Sequence, residues 1–198
     1  MLTSCKSVTD AIESAIASLD LERVRRDYWA QNEFVYLPEF LPRAVVQEQL
    51  ARPAQQLKPL LNRNYIPKHK KGGSVSYYTV REQAPEFLEL YRSPAFITFL
   101  RTLSGAPLKL CPENDPHACA LYYYTEAGDH IGFHYDTSYY KGARYTVLMG
   151  LVDRSEQCRL VAHLYKDHPT RVMQELELRT EPGDMVIFNG GRPLRCLA

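Results

Sequence analysis

His134-Tyr135-Asp136 decides the fold, in its setting Tyr122-Tyr123-Tyr124-Thr125-Glu126-Ala127-Gly128-Asp129-His130-Ile131-Gly132-Phe133-His134-Tyr135-Asp136-Thr137. Residues i and i+2 of a strand share a face with Cα atoms roughly 7 Å apart, so the imidazole and the carboxylate can converge on one point. That point suits a metal ion, because one imidazole and one carboxylate are two corners of a 2-His-1-carboxylate facial triad. His-x-Asp alone is a weak signal, and a polar pair on a half-solvated strand explains most such matches. His130 shares the parity of His134, but four residues along a strand is roughly 13 Å, so it reads as a rim or turn residue.

The surroundings sharpen the motif. An aromatic strand precedes it, a glycine turn leads in, and an apolar strand headed by Arg144 follows (Arg144-Tyr145-Thr146-Val147-Leu148-Met149-Gly150-Leu151-Val152-Asp153). Later comes Glu181-Pro182-Gly183-Asp184-Met185-Val186-Ile187-Phe188-Asn189-Gly190. From about residue 117 to 191 this series resembles the core of the Fe(II)/2-oxoglutarate-dependent dioxygenases, in the branch similar to prolyl 4-hydroxylases. The resemblance implies His134 and Asp136 as metal ligands. It also implies Tyr124 as the tyrosine that hydrogen-bonds a cosubstrate carboxylate, with aromatic packing the alternative for that residue. Its cofactors are Fe(II) and the cosubstrate 2-oxoglutarate, its chemistry is C–H hydroxylation, and Arg144 is expected to orient or pair with the loop after Asp136.

The pattern also departs from that family. The resemblance places a second His in a segment like Phe-Asn-Gly-x-x-Leu-x-His, followed about ten positions on by a base for the 2-oxoglutarate tail. Here the segment reads Phe188-Asn189-Gly190-Gly191-Arg192-Pro193-Leu194-Arg195-Cys196-Leu197-Ala198, with no histidine. Arg195 holds roughly the expected place, and a guanidinium that stays protonated does not ligate iron. His163 and His168 are the stand-ins to consider, the latter reading as a turn residue beside Pro169. Base and closing strand are expected beyond Ala198, leaving an unpaired edge beside Val186-Ile187-Phe188. The iron and 2-oxoglutarate function is therefore expected to be impaired or lost, and a non-catalytic jelly-roll module that binds a ligand or protein is the alternative.

Outward from the motif, the runs Cys119–Tyr124, His130–Asp136, Arg144–Val152, Cys158–Tyr165, Arg171–Leu178 and Asp184–Phe188 read as short strands between turns. Ahead of them, Ile12, Ala15, Ile16, Leu19 and Val24 give helical spacing over residues 9–29, with Thr9 or Asp10 as cap. A strand follows at Phe34–Leu37, then a helix from Pro42 that Pro53 ends. Asn62–Ser74 reads as a polar irregular loop whose Lys68-His69-Lys70-Lys71 core either offers charge to an acidic partner or is simply solvated. His69 has no spaced partner there. Val75–Val80 has strand composition. Two helices come next, the second marked by Ser93, Pro94, Phe96, Ile97, Leu100, Leu103 and Gly105.

The fold class expected is mainly β with N-terminal helices: a double-stranded β-helix, or jelly roll, buttressed by helices. One domain over 1–198 divides into helical support and outer strands (1–107) and a jelly-roll core (108–198). A composition 45% hydrophobic, 24% charged and 11% aromatic is that of a globular chain. A net charge of +1 gives no reason to expect nucleic acid or an anionic membrane as partner, and the substrate, a small molecule or a protein, is not legible. Residues 1–20 hold no apolar run for a signal peptide or membrane span, so a soluble, cytoplasmic protein is expected. Five cysteines without C-x-x-C spacing read as free, mostly buried thiols.

Overall fold

A computed structural model describes residues 7–136, 138–191 and, for the backbone, the strand at 194–197. The N-terminal apolar stripe is broken rather than continuous: α1 (Val8–Ser18) and α2 (Leu21–Ala30) meet at Leu19-Asp20, where the Asp20 side chain accepts the Arg23 amide and starts the second helix. Ser7, not Thr9 or Asp10, caps α1. Its hydroxyl accepts the Asp10 amide while the Asp10 carboxylate accepts the Ser7 amide.

Strand β1 (Phe34–Leu37) follows, and α3 (Arg43–Val46) runs through a π turn at Gln47–Ala51 into α4 (Arg52–Leu57). Pro53 therefore does not end the helix. The chain accommodates the proline with a widened turn, and Pro53 falls in the first turn of α4, where a missing N–H is tolerated.

The expected loop at 62–74 is instead a hairpin, β2 (Asn62–Ile66) and β3 (Lys70–Val75), turning at Pro67–His69. Its glycines serve packing: a Cβ on Gly73 would lie 1.8 Å from Leu61 Cδ1. The strand expected at Val75–Val80 is likewise a helix, α5 (Tyr77–Gln83). Ser76 accepts the Thr79 amide, and this cap outweighs the β-branched and aromatic composition. Helices α6 (Glu86–Arg92) and α7 (Pro94–Ser104) end the helical half, α7 as expected between the Ser93 cap and Gly105 at φ 67°.

Five strands lie within the expected runs, β4 (Leu121–Tyr123), β5 (His130–His134), β6 (Tyr145–Met149), β7 (Arg159–Leu164) and β8 (Gln174–Leu178), and β9 (Met185–Asn189) passes the end of its run by one residue. A further strand, β10 (Leu194–Leu197), is added beyond them. All pairing is antiparallel. One sheet has the order β1-β9-β6; the other runs β2-β3-β5-β10-β7-β8, with β4 on β3.

Two clusters organise the interior. Met185 and Ile187, with Tyr145, Val147 and Met149 beside them, face the helices with Ile12, Leu50 and Phe96. Met149 and Leu151 are thus packing residues, on the helix side rather than between the sheets. Phe34, Val186 and Phe188 point the other way and meet Leu160, Ala162 and Leu164 of the second sheet. Alternation along β9 divides its side chains between the two layers.

The expected unpaired edge beside Val186-Ile187-Phe188 is not there. Strand β9 is paired on both sides, by β1 and β6, and β10 fills the space between β5 and β7. The edges of this sheet are β1 and β6, neither of which has a second partner among the described strands. No described helix is long and apolar enough to cross a membrane. Cys111, Cys119 and Cys158 are free and half-buried, and burial pushes the Cys119 thiol up to about 11.

Candidate functional site

Strand β5 delivers His134, and Asp136 lies two residues on, just past its end, where its amide donates to the Gly190 carbonyl at 2.8 Å. The two side chains converge: His134 Nε2 lies 3.5 Å from Asp136 Oδ1, each side chain about one quarter exposed. His134 Nδ1 sits 2.9 Å from the Gly132 carbonyl oxygen. A carbonyl only accepts, so Nδ1 carries the hydrogen and, in the neutral ring, Nε2 turns a lone pair toward the carboxylate. Two acceptors face to face call for a positive species between them, either a proton on the ring or a cation. At 3.5 Å the gap exceeds the 2.7–2.9 Å typical of a charge-assisted N–H···O bond and suits two donors each about 2.1 Å from one ion.

Asp136 is held from its other side by Thr146 of β6, whose Oγ1 donates to Oδ2 at 2.6 Å. Burial pushes its pKa up, but the neighbouring His134 imidazole, the Thr146 hydrogen bond and the Arg144 charge outweigh this, leaving it below the ordinary carboxylate value. Arg144 itself donates to the His117 carbonyl at 3.2 Å, so it acts on Asp136 through charge rather than as a direct partner. Gly190 makes room: a Cβ there would lie 2.7 Å from the Asp136 carbonyl oxygen and 2.9 Å from its Cβ. Sequence reasoning missed both supports. Thr146 carried the signal of an isolated hydroxyl in an apolar strand, and Gly190 that of a glycine closing the Asn-Gly step.

The remaining residues are distributed as follows. Tyr124, half-buried, lays its ring on Gly72 of β3, with Cε1 3.4 Å from where a Cβ would stand. His130 turns back on itself, Nδ1 2.9 Å from the Gly128 carbonyl, as a turn residue does. His163 stacks on Phe133 with ring centroids 3.7 Å apart and meets Glu175 at 2.9 Å. Since its neighbour Ala162 faces the space between the sheets, His163 lies on the outside and is no stand-in ligand. His168 caps a turn, its Nδ1 accepting the amides of Thr170 and Arg171.

His69 is the surprise. The β2–β3 turn brings its carbonyl to the Gly132 amide at 2.6 Å and its ring edge-on to His134, centroids 6.4 Å apart. Even so, no group of three His, Cys, Asp or Glu side chains among the described residues is placed to hold a metal ion.

The third ligand's place can be read from the ladder. Leu194 of β10 is the residue directly opposite His134, so the register position beside the imidazole belongs to Leu194 and not to Arg195, whose side chain lies outside the described residues. The described residues thus provide two donors suited to a cation and do not complete a three-ligand iron centre.

No family model matches the sequence, and no curated protein matches it either. Solved structures do match. A Pseudomonas putida prolyl-4-hydroxylase superposes with TM-score 0.64 at 16% identity, covering 89% of this chain and 90% of that one. The epimerase SnoN from nogalamycin biosynthesis, solved with Fe3+, alpha ketoglutarate and nogalamycin RO, gives 0.67 at 19%, covering 90% and 77%. A Trichoplax adhaerens prolyl hydroxylase in complex with a hypoxia inducible factor peptide gives 0.64 at 10%, covering 91% and 86%. At these identities the likeness is one of architecture: the chain has the fold of the prolyl 4-hydroxylases and of the wider 2-oxoglutarate/Fe(II) oxygenases.

Proposed function

We propose that this chain is a jelly-roll protein of the Fe(II)/2-oxoglutarate-dependent dioxygenase type, with His134 and Asp136 as what it keeps of the iron site, and that with two ligands it is catalytically impaired. The observation that carries the reading is the 3.5 Å approach of His134 Nε2 to Asp136 Oδ1, with the ring tautomer and the carboxylate each fixed from behind by Gly132 and Thr146. Iron with 2-oxoglutarate supplies oxidative C–H chemistry where it is bound. The chain's own contribution is to orient an imidazole and a carboxylate, to hold the carboxylate ionised, and to place the Tyr124 ring nearby on Gly72. A second reading, a non-catalytic module that binds a ligand or protein at this mouth, is favoured by the lack of a third donor among the described residues.

Anaerobic titration with Fe(II) and 2-oxoglutarate, followed by the metal-to-ligand charge-transfer band, separates the two. A weak band or none is expected for the chain as it stands. Leu194→His places an imidazole opposite His134 in the ladder and is expected to bring the band up, tightening iron at least about tenfold. Tight iron binding by the unaltered chain would overturn the two-ligand account, and a silent Leu194→His variant would favour the binding module.

A further inference from the structure

Helix α2 turns Val24 and Tyr28 inward, into the cluster that also holds Ile12 and Leu103. With roughly 3.6 residues per turn, the stripe opposite them is Glu22, Arg25, Arg26 and Trp29, at positions i, i+3, i+4 and i+7. These four line an open groove of about 440 Å³ on the outside of the helical layer. Because the inner face of α2 shares its cluster with Met185 and Ile187 of β9, the groove looks away from the sheets and from His134.

Trp29, the chain's one tryptophan, is 47% exposed. Its ring stands edge-on to that of the fully buried Tyr28, with centroids 5.6 Å apart, so it is held on one side and open on the other. A large aromatic already fixed in place loses little freedom when a partner covers it, which is what an interface anchor requires.

A step of roughly 100° per residue sets Arg25 and Arg26 on either side of the indole when the helix is viewed down its axis. Neither guanidinium has a carboxylate partner among the described residues, although Glu22 stands one turn before them. Arg43, Arg63, Arg159 and Arg179, by contrast, each have one. Arg25 reaches toward the C-terminal end of α7, its Nη2 4.0 Å from where a Cβ on Gly105 would stand, and the unmatched carbonyls of a helix end favour a cation there.

We propose that this stripe of α2 is a docking surface for a short acidic peptide segment of a partner protein, with an apolar side chain on Trp29 and a carboxylate on each side of it pairing with Arg25 and Arg26. Charge complementarity carries the choice of occupant: two unanswered cations flanking an apolar plate match an acid–apolar–acid pattern, and carboxylates arriving there displace no existing salt bridge. A nucleic acid is matched by a longer basic track than two arginines, and Glu22 within the stripe and a net charge of +1 disfavour it. From Glu22 to Trp29 the helix rises only about 10 Å, so the contact is small and transient. The inference does not rest on the iron reading.

As the only indole, Trp29 reports on its own surface. The full chain is titrated with a synthetic peptide of repeating Glu-Leu-Glu, with its Gln-Leu-Gln counterpart, with a DNA duplex and with phosphatidylserine vesicles, while tryptophan emission is followed. The acidic peptide is expected to shift the emission to the blue, saturably and less at high salt, and the other three to leave it unmoved. The double variant Arg25→Gln, Arg26→Gln is expected to weaken peptide binding about fivefold to tenfold while melting like the parent, the double lysine replacement to retain most of it, and Lys141→Gln, on an exposed loop, to change nothing. No shift with the acidic peptide, an equal shift with the uncharged peptide, the duplex or the vesicles, or equal binding by the double Gln variant overturns the proposal.

Discussion

At the scale of single residues, Asp129 is a firmly held carboxylate outside the candidate site. It is fully buried, takes two bonds from Arg63 at 2.7 and 2.8 Å, and accepts the amides of Thr125 and Glu126. The Arg63 guanidinium, against the cost of burial and with help from the two amides, brings its pKa down to about 2. A folded pKa below the unfolded one means a contribution fully present above about pH 4 and lost as pH falls toward 2. Asp129→Asn is expected to cost on the order of 2 kcal/mol at pH 7 and almost nothing near pH 2, read from urea midpoints at the two pH values. A difference that does not shrink on acidification would refute the assignment. His134 and Asp136 were legible in sequence because two-residue spacing on a strand is a local property. Thr146, Gly190 and His69 were not, since each reaches the site through a pairing that joins distant segments.

Among elements, the hairpin β2–β3 shows where local composition misleads. Lys-Lys-Gly-Gly-Ser reads as loop, yet Gly73 is the residue that lets Leu61 lie flat on the strand. Gly73→Ala should cost roughly 1–3 kcal/mol in chemical denaturation, and Leu61→Ala in the same chain should recover part of that loss, since the clash is with a side chain and not with backbone. Tyr77–Gln83 misleads in the other direction, its β-branched and aromatic residues overruled by a serine cap. The helix at Pro94–Ser104 was readable because cap, proline and glycine agree with the apolar stripe. Strands β9 and β6 give a third expectation. The amides of Met185–Asn189 should exchange slowly throughout, whereas along Tyr145–Met149 slow and fast positions should alternate, as only every second amide faces β9. Uniform protection of both strands in hydrogen-exchange measurements would show that β6 has a further neighbour.

At the scale of the whole molecule, the helices and the second sheet communicate largely through one strand. Strand β9 sends Met185 and Ile187 into one cluster and Val186 and Phe188 into the other, all essentially without solvent contact. Phe188→Ala is expected to lose about 3–5 kcal/mol and to lower the thermal midpoint of both halves together, because the ring lies where the two sheets meet. Two separated melting transitions would contradict this coupling. The general layout, helices first and sheets after, was readable from periodicity; the sheet order and the place of β10 were not, since which strands become neighbours depends on closure of the whole chain. The margin of β6 has a last consequence: it has one neighbouring strand among the described residues, and such a border can take up an added extended segment, so crowding of this protein at high concentration is expected to begin there.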